Sequence, residues 1–194
     1  IEKVLTQSLY HDYTKLYRFC GQKQRRFMQL RLKSYEISLI DYCFRIVINH
    51  YKQPFDLAYK KNFFDKYSQL SIDRLITSRT TDELIENLKG TEYYEPLKKL
   101  KDSREVTLFD YDLTLDLYYF TTLWNTRKKL LKKEDLELYQ RDCGSQIDLL
   151  NMMWIYRAKK YYQMSEASTY TLLIPVTYKL HDSDIRAMVA AADE

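Results

Sequence analysis

The segment GSQIDLLNMMWIYRAKK, residues 144–160, sets an acid and an amide, Asp148 and Asn151, three residues apart in an otherwise apolar run. On one face of a helix such a pair can move protons, or it can satisfy polar groups that packing has buried. Catalysis needs further convergent groups, and no histidine lies within two helical turns of the pair. Ser145 and Asp148 follow Gly144 at capping-box spacing, which predicts a helix start there with Asp148 folded back onto it. Asn151 stands among Ile147, Leu150 and Trp154. An unpaired amide in such surroundings costs about 1–3 kcal/mol, so it is expected to bond and fix the packing around it. The pair is expected to be structural, and no catalytic residue is expected.

Other chemistries find little support. His11, His50 and His181 show no metal-ligand spacing. Cys20, Cys43 and Cys143 are far apart, with no C-x-x-C, and read as buried free thiols of a reducing compartment. Three scattered glycines cannot make a phosphate-cradling loop, so neither cofactor nor metal is expected. Basic clusters occur at Lys23-Arg25-Arg26, at Arg127-Lys128-Lys129 with Lys132-Lys133, and at Lys159-Lys160 before Tyr161-Tyr162. A helical nucleic-acid-binding protein using these basic-aromatic patches is the alternative reading. Against it, the net charge is only +4, and Glu134, Asp135 and Glu137 adjoin the second cluster. Docking onto an acidic protein partner suits Arg127, Lys128, Lys129, Lys159, Lys160 and Tyr161 better.

The elements that must position these residues read as helices throughout. Three Gly and three Pro in 194 residues, with abundant Leu, Lys, Glu and Tyr, predict an all-α chain. Helical periodicity predicts helices over 1–20 and 22–50, then a connector over 51–61 that contains Pro54, then one or two short helices over 63–77. Thr80 and Glu83 predict a capping box, and that helix ends near Gly90. A short helical piece interrupted by Pro96 follows, and 101–107 is the polar boundary. Residues 109–131 are expected to bury Leu113, Leu117, Phe120 and Trp124. Residues 134–142 precede a break at Gly144, and 163–180 are expected to be an irregular connector whose TLLIPVTY is not a strand. The apolar stretch 37–48 is interrupted by Asp41 and Arg45, short of the roughly 20 residues a membrane span needs.

An internal repeat is also visible. EISLIDYCFRIVIN, from Glu36, overlays QIDLLNMMWIYRAK, from Gln146, at an offset of 110, and Leu70 pairs with Leu180 at the same offset. The expectation is an elongated protein of pseudo-repeated helical units, 1–104 and 105–194, with the second unit truncated at its C-terminus.

Ordered segments of the chain, FDYDLTLDLYYFTTLW from Phe109, then the stretch from Gly144, then LLIPVTYKL from Leu172, resemble the C subunit of V/A-type rotary ATPases, a relative of the eukaryotic d subunit. DELIENLKGTEYYEPL, from Asp82, resembles that family's recurrent Leu-x-x-Thr-x-Tyr-x-x-Leu segment through Leu88, Thr91, Tyr93 or Tyr94, and Leu97. The family's Asp-x-x-Asn, followed six residues on by Arg, is carried by Asp148, Asn151 and Arg157; the first copy has Ser38, Asp41 and Val47 instead. The resemblance implies a non-catalytic, funnel-shaped adapter on the cytoplasmic face of the membrane. It would seat the central shaft, made of the D and F subunits, on the membrane rotor ring, with no small-molecule substrate and no nucleic acid.

Overall fold

The computed structural model describes residues 1–51, 56–103 and 106–191; the predicted connector's Pro54 lies outside them. Among the described residues the regular structure is entirely helical: α1 Glu2–Phe19, α2 Gln22–Ile48, α3 Ala58–Tyr67, α4 Ile72–Leu75, α5 Thr81–Asn87, α6 Tyr94–Ser103, α7 Leu108–Leu130, α8 Lys133–Lys160, α9 Glu166–Leu172 and α10 Asp182–Ala190. The all-α expectation is correct. The chain divides into two compact units, Ile1–Leu115 and Asp116–Glu194. That division falls inside α7.

In the first unit, aromatic rings fill the space between α1, α2 and α3. Tyr10 stacks on Phe63 at 3.9 Å between centroids, and Tyr13 and Tyr35 meet the same ring edge-on. Such pairs add directional preference to the area they bury, which is how a Tyr-rich chain fixes helix orientation without glycine-tight crossings. Beneath them a buried acid, Glu36 on α2, accepts hydrogen bonds from the Tyr93 hydroxyl at 2.6 Å and from the Ser68 hydroxyl. This small polar core ties α2 to the segment before α4 and to the α5–α6 turn.

That turn accounts for the recurrent segment. The Thr91 hydroxyl donates to the Leu88 carbonyl at 2.7 Å and accepts from the Tyr93 amide at 3.3 Å, closing the corner between α5 and α6. Gly90 lies at φ +90°, a left-handed conformation that the turn requires and that only glycine adopts without strain. Leu88, Tyr93 and Leu97 are then almost wholly buried. Both tyrosines are used: Tyr93 reaches Glu36, and the Tyr94 hydroxyl donates to Glu86 at 2.8 Å.

Several expectations are corrected. Pro96 does not interrupt its helix. It is the third residue of α6, where a missing N–H removes no intrahelical bond. At α5, Thr80 caps as predicted, accepting from the Glu83 amide at 3.2 Å, but the Glu83 carboxylate bonds the Arg79 amide at 2.8 Å, one residue ahead of the cap. Along α7 the buried positions are Tyr111, Leu115, Tyr119, Phe120 and Leu123; of the predicted stripe only Phe120 is buried. The stripe is rotated because tyrosine rings serve as apolar bodies here. The connector over 163–180 contains α9.

The thiols also divide. Cys43 and Cys143 are buried, whereas Cys20 is partly exposed. Burial pushes the Cys43 thiol up to about 12, far from the thiolate form that reacts. Brief treatment of the folded protein with a maleimide at neutral pH should label Cys20 alone; mass spectrometry should find Cys43 and Cys143 labelled only after denaturation.

Candidate functional site

The second unit is built on α8, which runs unbroken through Gly144. The predicted helix break and the Ser145–Asp148 cap are therefore both absent. Gly144, Asp148 and Asn151 are spaced by four and three residues and share one face of α8. Across that face runs the irregular segment 173–180, which joins α9 to α10. Helices α9 and α10 pack against α8 and against each other. Ile155 forms a small core with Ile185 and Val189, with Leu173, Leu180 and Met188 against it.

Every side-chain heteroatom of the pair is spent on this crossing segment. Asp148 Oδ1 accepts from the Tyr178 amide at 2.9 Å, and Oδ2 accepts from the amides of Lys179 and Leu180 at 2.7 and 3.0 Å. Three successive N–H groups aimed at one carboxylate form an anion nest filled from within the protein. Asn151, with no exposed surface, pairs with the backbone as a neighbouring strand would. Its Oδ1 accepts from the Ile174 amide at 2.9 Å, while Nδ2 donates to the carbonyls of Ile174 and Val176 at 3.1 and 3.4 Å. An irregular segment laid on a helix has no ladder to satisfy it, and these two side chains supply the missing partners.

Gly144 sets the closeness of the crossing. A Cβ added there would lie 2.5 Å from Tyr178 Cγ and 2.7 Å from its Cβ. The glycine is a flat place where Tyr178 sits on the helix, and the ring then meets Trp124 edge-on at 6.2 Å. The Arg127 guanidinium covers the same indole at 3.7 Å from its centroid, with Nη1 donating to the Trp124 carbonyl. We expect Gly144→Ala to destabilise the second unit by about 1–2 kcal/mol in urea unfolding, although alanine alone favours a helix by about 1 kcal/mol. Combining it with Tyr178→Ala should cancel much of the clash, seen as a non-additive double-mutant cycle.

The remaining predicted residues scatter. Arg157 is exposed and lies apart from the buried pair. Arg127 is folded onto Trp124, and Lys159 donates to the carbonyls of Val189, at 2.9 Å, and Ala191, neutralising the C-terminal end of α10. Lys128, Lys129, Lys160 and Tyr161 are exposed or partly so. Two features escape a reading of the sequence. Glu36 carries no signal beyond standing at the head of the repeat. Gly144 carries an ambiguous one, since a glycine inside a helical pattern can mark close packing as well as an end. In the first unit a cleft of about 270 Å³ is lined by residues including Lys33, Glu36, Glu92 and Tyr93. Its charges are matched internally, Lys33 to Glu92 and Glu36 to the Tyr93 and Ser68 hydroxyls. Among the described residues no group of three or more His, Cys, Asp and Glu could hold a metal ion.

The likeness carried by the ordered segments extends to the chain as a whole: the profile of the ATP synthase (C/AC39) subunit family matches residues 1–194. The chain belongs to this family. A relative within reach of direct comparison, the A-type ATP synthase C subunit of Methanosarcina barkeri, is 28% identical over 159 residues, which is 82% of this chain and 43% of that protein. The matched region therefore spans less than half the length of that relative. No solved structure matches the chain. Among the described residues of this C/AC39 family member, no helix is long and apolar enough to cross a membrane.

Proposed function

We propose that the chain is part of a non-catalytic adapter in a rotary V/A-type ATPase. It couples the central shaft, made of the D and F subunits, to the membrane rotor ring, and works at the cytoplasmic face of the membrane without cofactor, nucleic acid or small-molecule substrate. The observation that carries this reading is the α8 clamp. The two polar groups most suited to chemistry are consumed in holding backbone, which stiffens a helical unit and leaves neither free to react. A part that transmits torque needs this kind of over-determined packing.

The two proposed repeats, 1–104 and 105–194, fit the same reading. In each, a long helix is followed by two short ones, α2–α3–α4 and α8–α9–α10. In each, an acid on the long helix holds the segment ahead of the last: Glu36 holds Ser68, and Asp148 holds residues 178–180. The acid has moved two positions along the aligned helix while keeping its task. The nucleic-acid reading loses support because Arg127 and Lys159 are engaged within the protein.

The test is co-purification of the full-length protein from its native membranes. Recovery of shaft and ring subunits in stoichiometric amounts is the expected result. Recovery of neither, together with salt-sensitive retention on heparin, would replace the adapter by the nucleic-acid reading.

A further inference from the structure

The clamp occupies one side of α8, and a face about 100° around the helix from it has no comparable cover. Leu138, Leu149, Met152 and Tyr156 recur there at helical spacing and are between 45% and 65% exposed. Large apolar side chains standing singly on a surface need no explanation; four along one seam of one helix do. At its C-terminal end the Tyr156 ring meets Tyr161 edge-on at 5.9 Å, an ordered aromatic ledge of the kind that anchors interfaces.

Charge along the helix is polarised. In its first half Glu134, Asp135, Glu137 and Asp142 outnumber Lys133 and Arg141, while residues 149–160 contain Arg157, Lys159, Lys160 and no acid. Among the described residues Glu134, Asp142, Arg157 and Lys160 enter no ion pair. The helix dipole explains a preference for this order of charges. It does not explain why an exposed apolar seam lies between them.

We propose that this outward face of α8 docks one amphipathic α-helix of a partner protein. The partner helix places an apolar seam along Leu149, Met152 and Tyr156, its basic end near Glu134 and Asp142, and its acidic end near Arg157 and Lys160. This rests on the adapter reading, which requires partners, and it names the surface and the chemistry that one of them must present. An anionic membrane or a nucleic acid would be repelled by Glu134 and Asp142 beside the seam. An antiparallel second copy that paired Asp142 with Lys160 would set Tyr156 against Gln146 and leave Leu138 and Glu134 beyond the end of its α8.

The test uses the full-length protein assembled in its complex, with a photo-crosslinking residue at position 149, and separately the variant Leu149→Asp/Met152→Asp. The expected product joins position 149 to a helix of another subunit that is basic at one end and acidic at the other. The double variant, with unchanged thermal unfolding, should bind the complex at least tenfold more weakly. Crosslinks confined to the protein itself or to a second copy, or a variant that assembles like the wild type, would overturn this docking face while leaving the adapter role standing. Failure of the wild-type protein to assemble with any rotary subunit would overturn both.

Discussion

Asn151→Leu should destabilise the second unit by about 3 kcal/mol, because it takes from the buried Ile174 N–H and the Val176 C=O the partner that Asn151 supplies, while fitting a side chain of similar size. The change removes three hydrogen bonds at 2.9, 3.1 and 3.4 Å from a residue with no exposed surface. Leucine gains some apolar burial, but water cannot reach the orphaned groups, so their desolvation dominates. The effect is local enough to locate. Amide exchange should accelerate at Ile174, whose proton is held by Asn151 Oδ1, and far less within α2 of the other unit. Unchanged exchange at Ile174 would mean that the segment is held by packing alone.

Asp148→Ala should cost a comparable amount, again about 3 kcal/mol, since bonds to a charged acceptor each contribute more than neutral ones. Here the signature differs, because three consecutive amides, Tyr178, Lys179 and Leu180, lose their acceptor together. Their exchange should rise in concert. Asp148→Asn should fall between wild type and alanine, because one of its two terminal atoms becomes a donor facing another donor. If asparagine proved as stable as aspartate, the nest would not depend on a full carboxylate.

How much of this is legible in the sequence differs from element to element. The helices α1 and α2 and the all-helical character follow from periodicity and from scarcity of Gly and Pro, which act locally and need no knowledge of neighbours. That Asp148 and Asn151 need bonding partners is also visible, because buried polar groups in an apolar run must be satisfied. What satisfies them is not: the partners lie 23 to 32 residues downstream, in a segment whose only local signal is its irregularity. Gly144 reads as a helix end because turn chemistry and close approach look alike in one dimension; only the Tyr178 ring on its surface separates them. The α7 stripe is misplaced when aliphatic residues are weighted above tyrosines, whose rings are largely apolar. Arg157 groups with the pair by spacing in the chain, yet the helix turns it to the exposed side.

On this view the chain shapes and couples without reacting. The most direct measurement is the ratio of ions moved to ATP hydrolysed by the complete rotary complex in sealed vesicles, with the full-length protein present, omitted, or carrying Asn151→Leu. Omission is predicted to leave ATP hydrolysis running while ion movement falls to background. Wild-type protein should restore the ratio, and the variant should restore it only as far as it stays folded. Loss of ATP hydrolysis itself in a well-folded Asp148 or Asn151 variant would contradict this, because it would give those side chains a part in the chemistry.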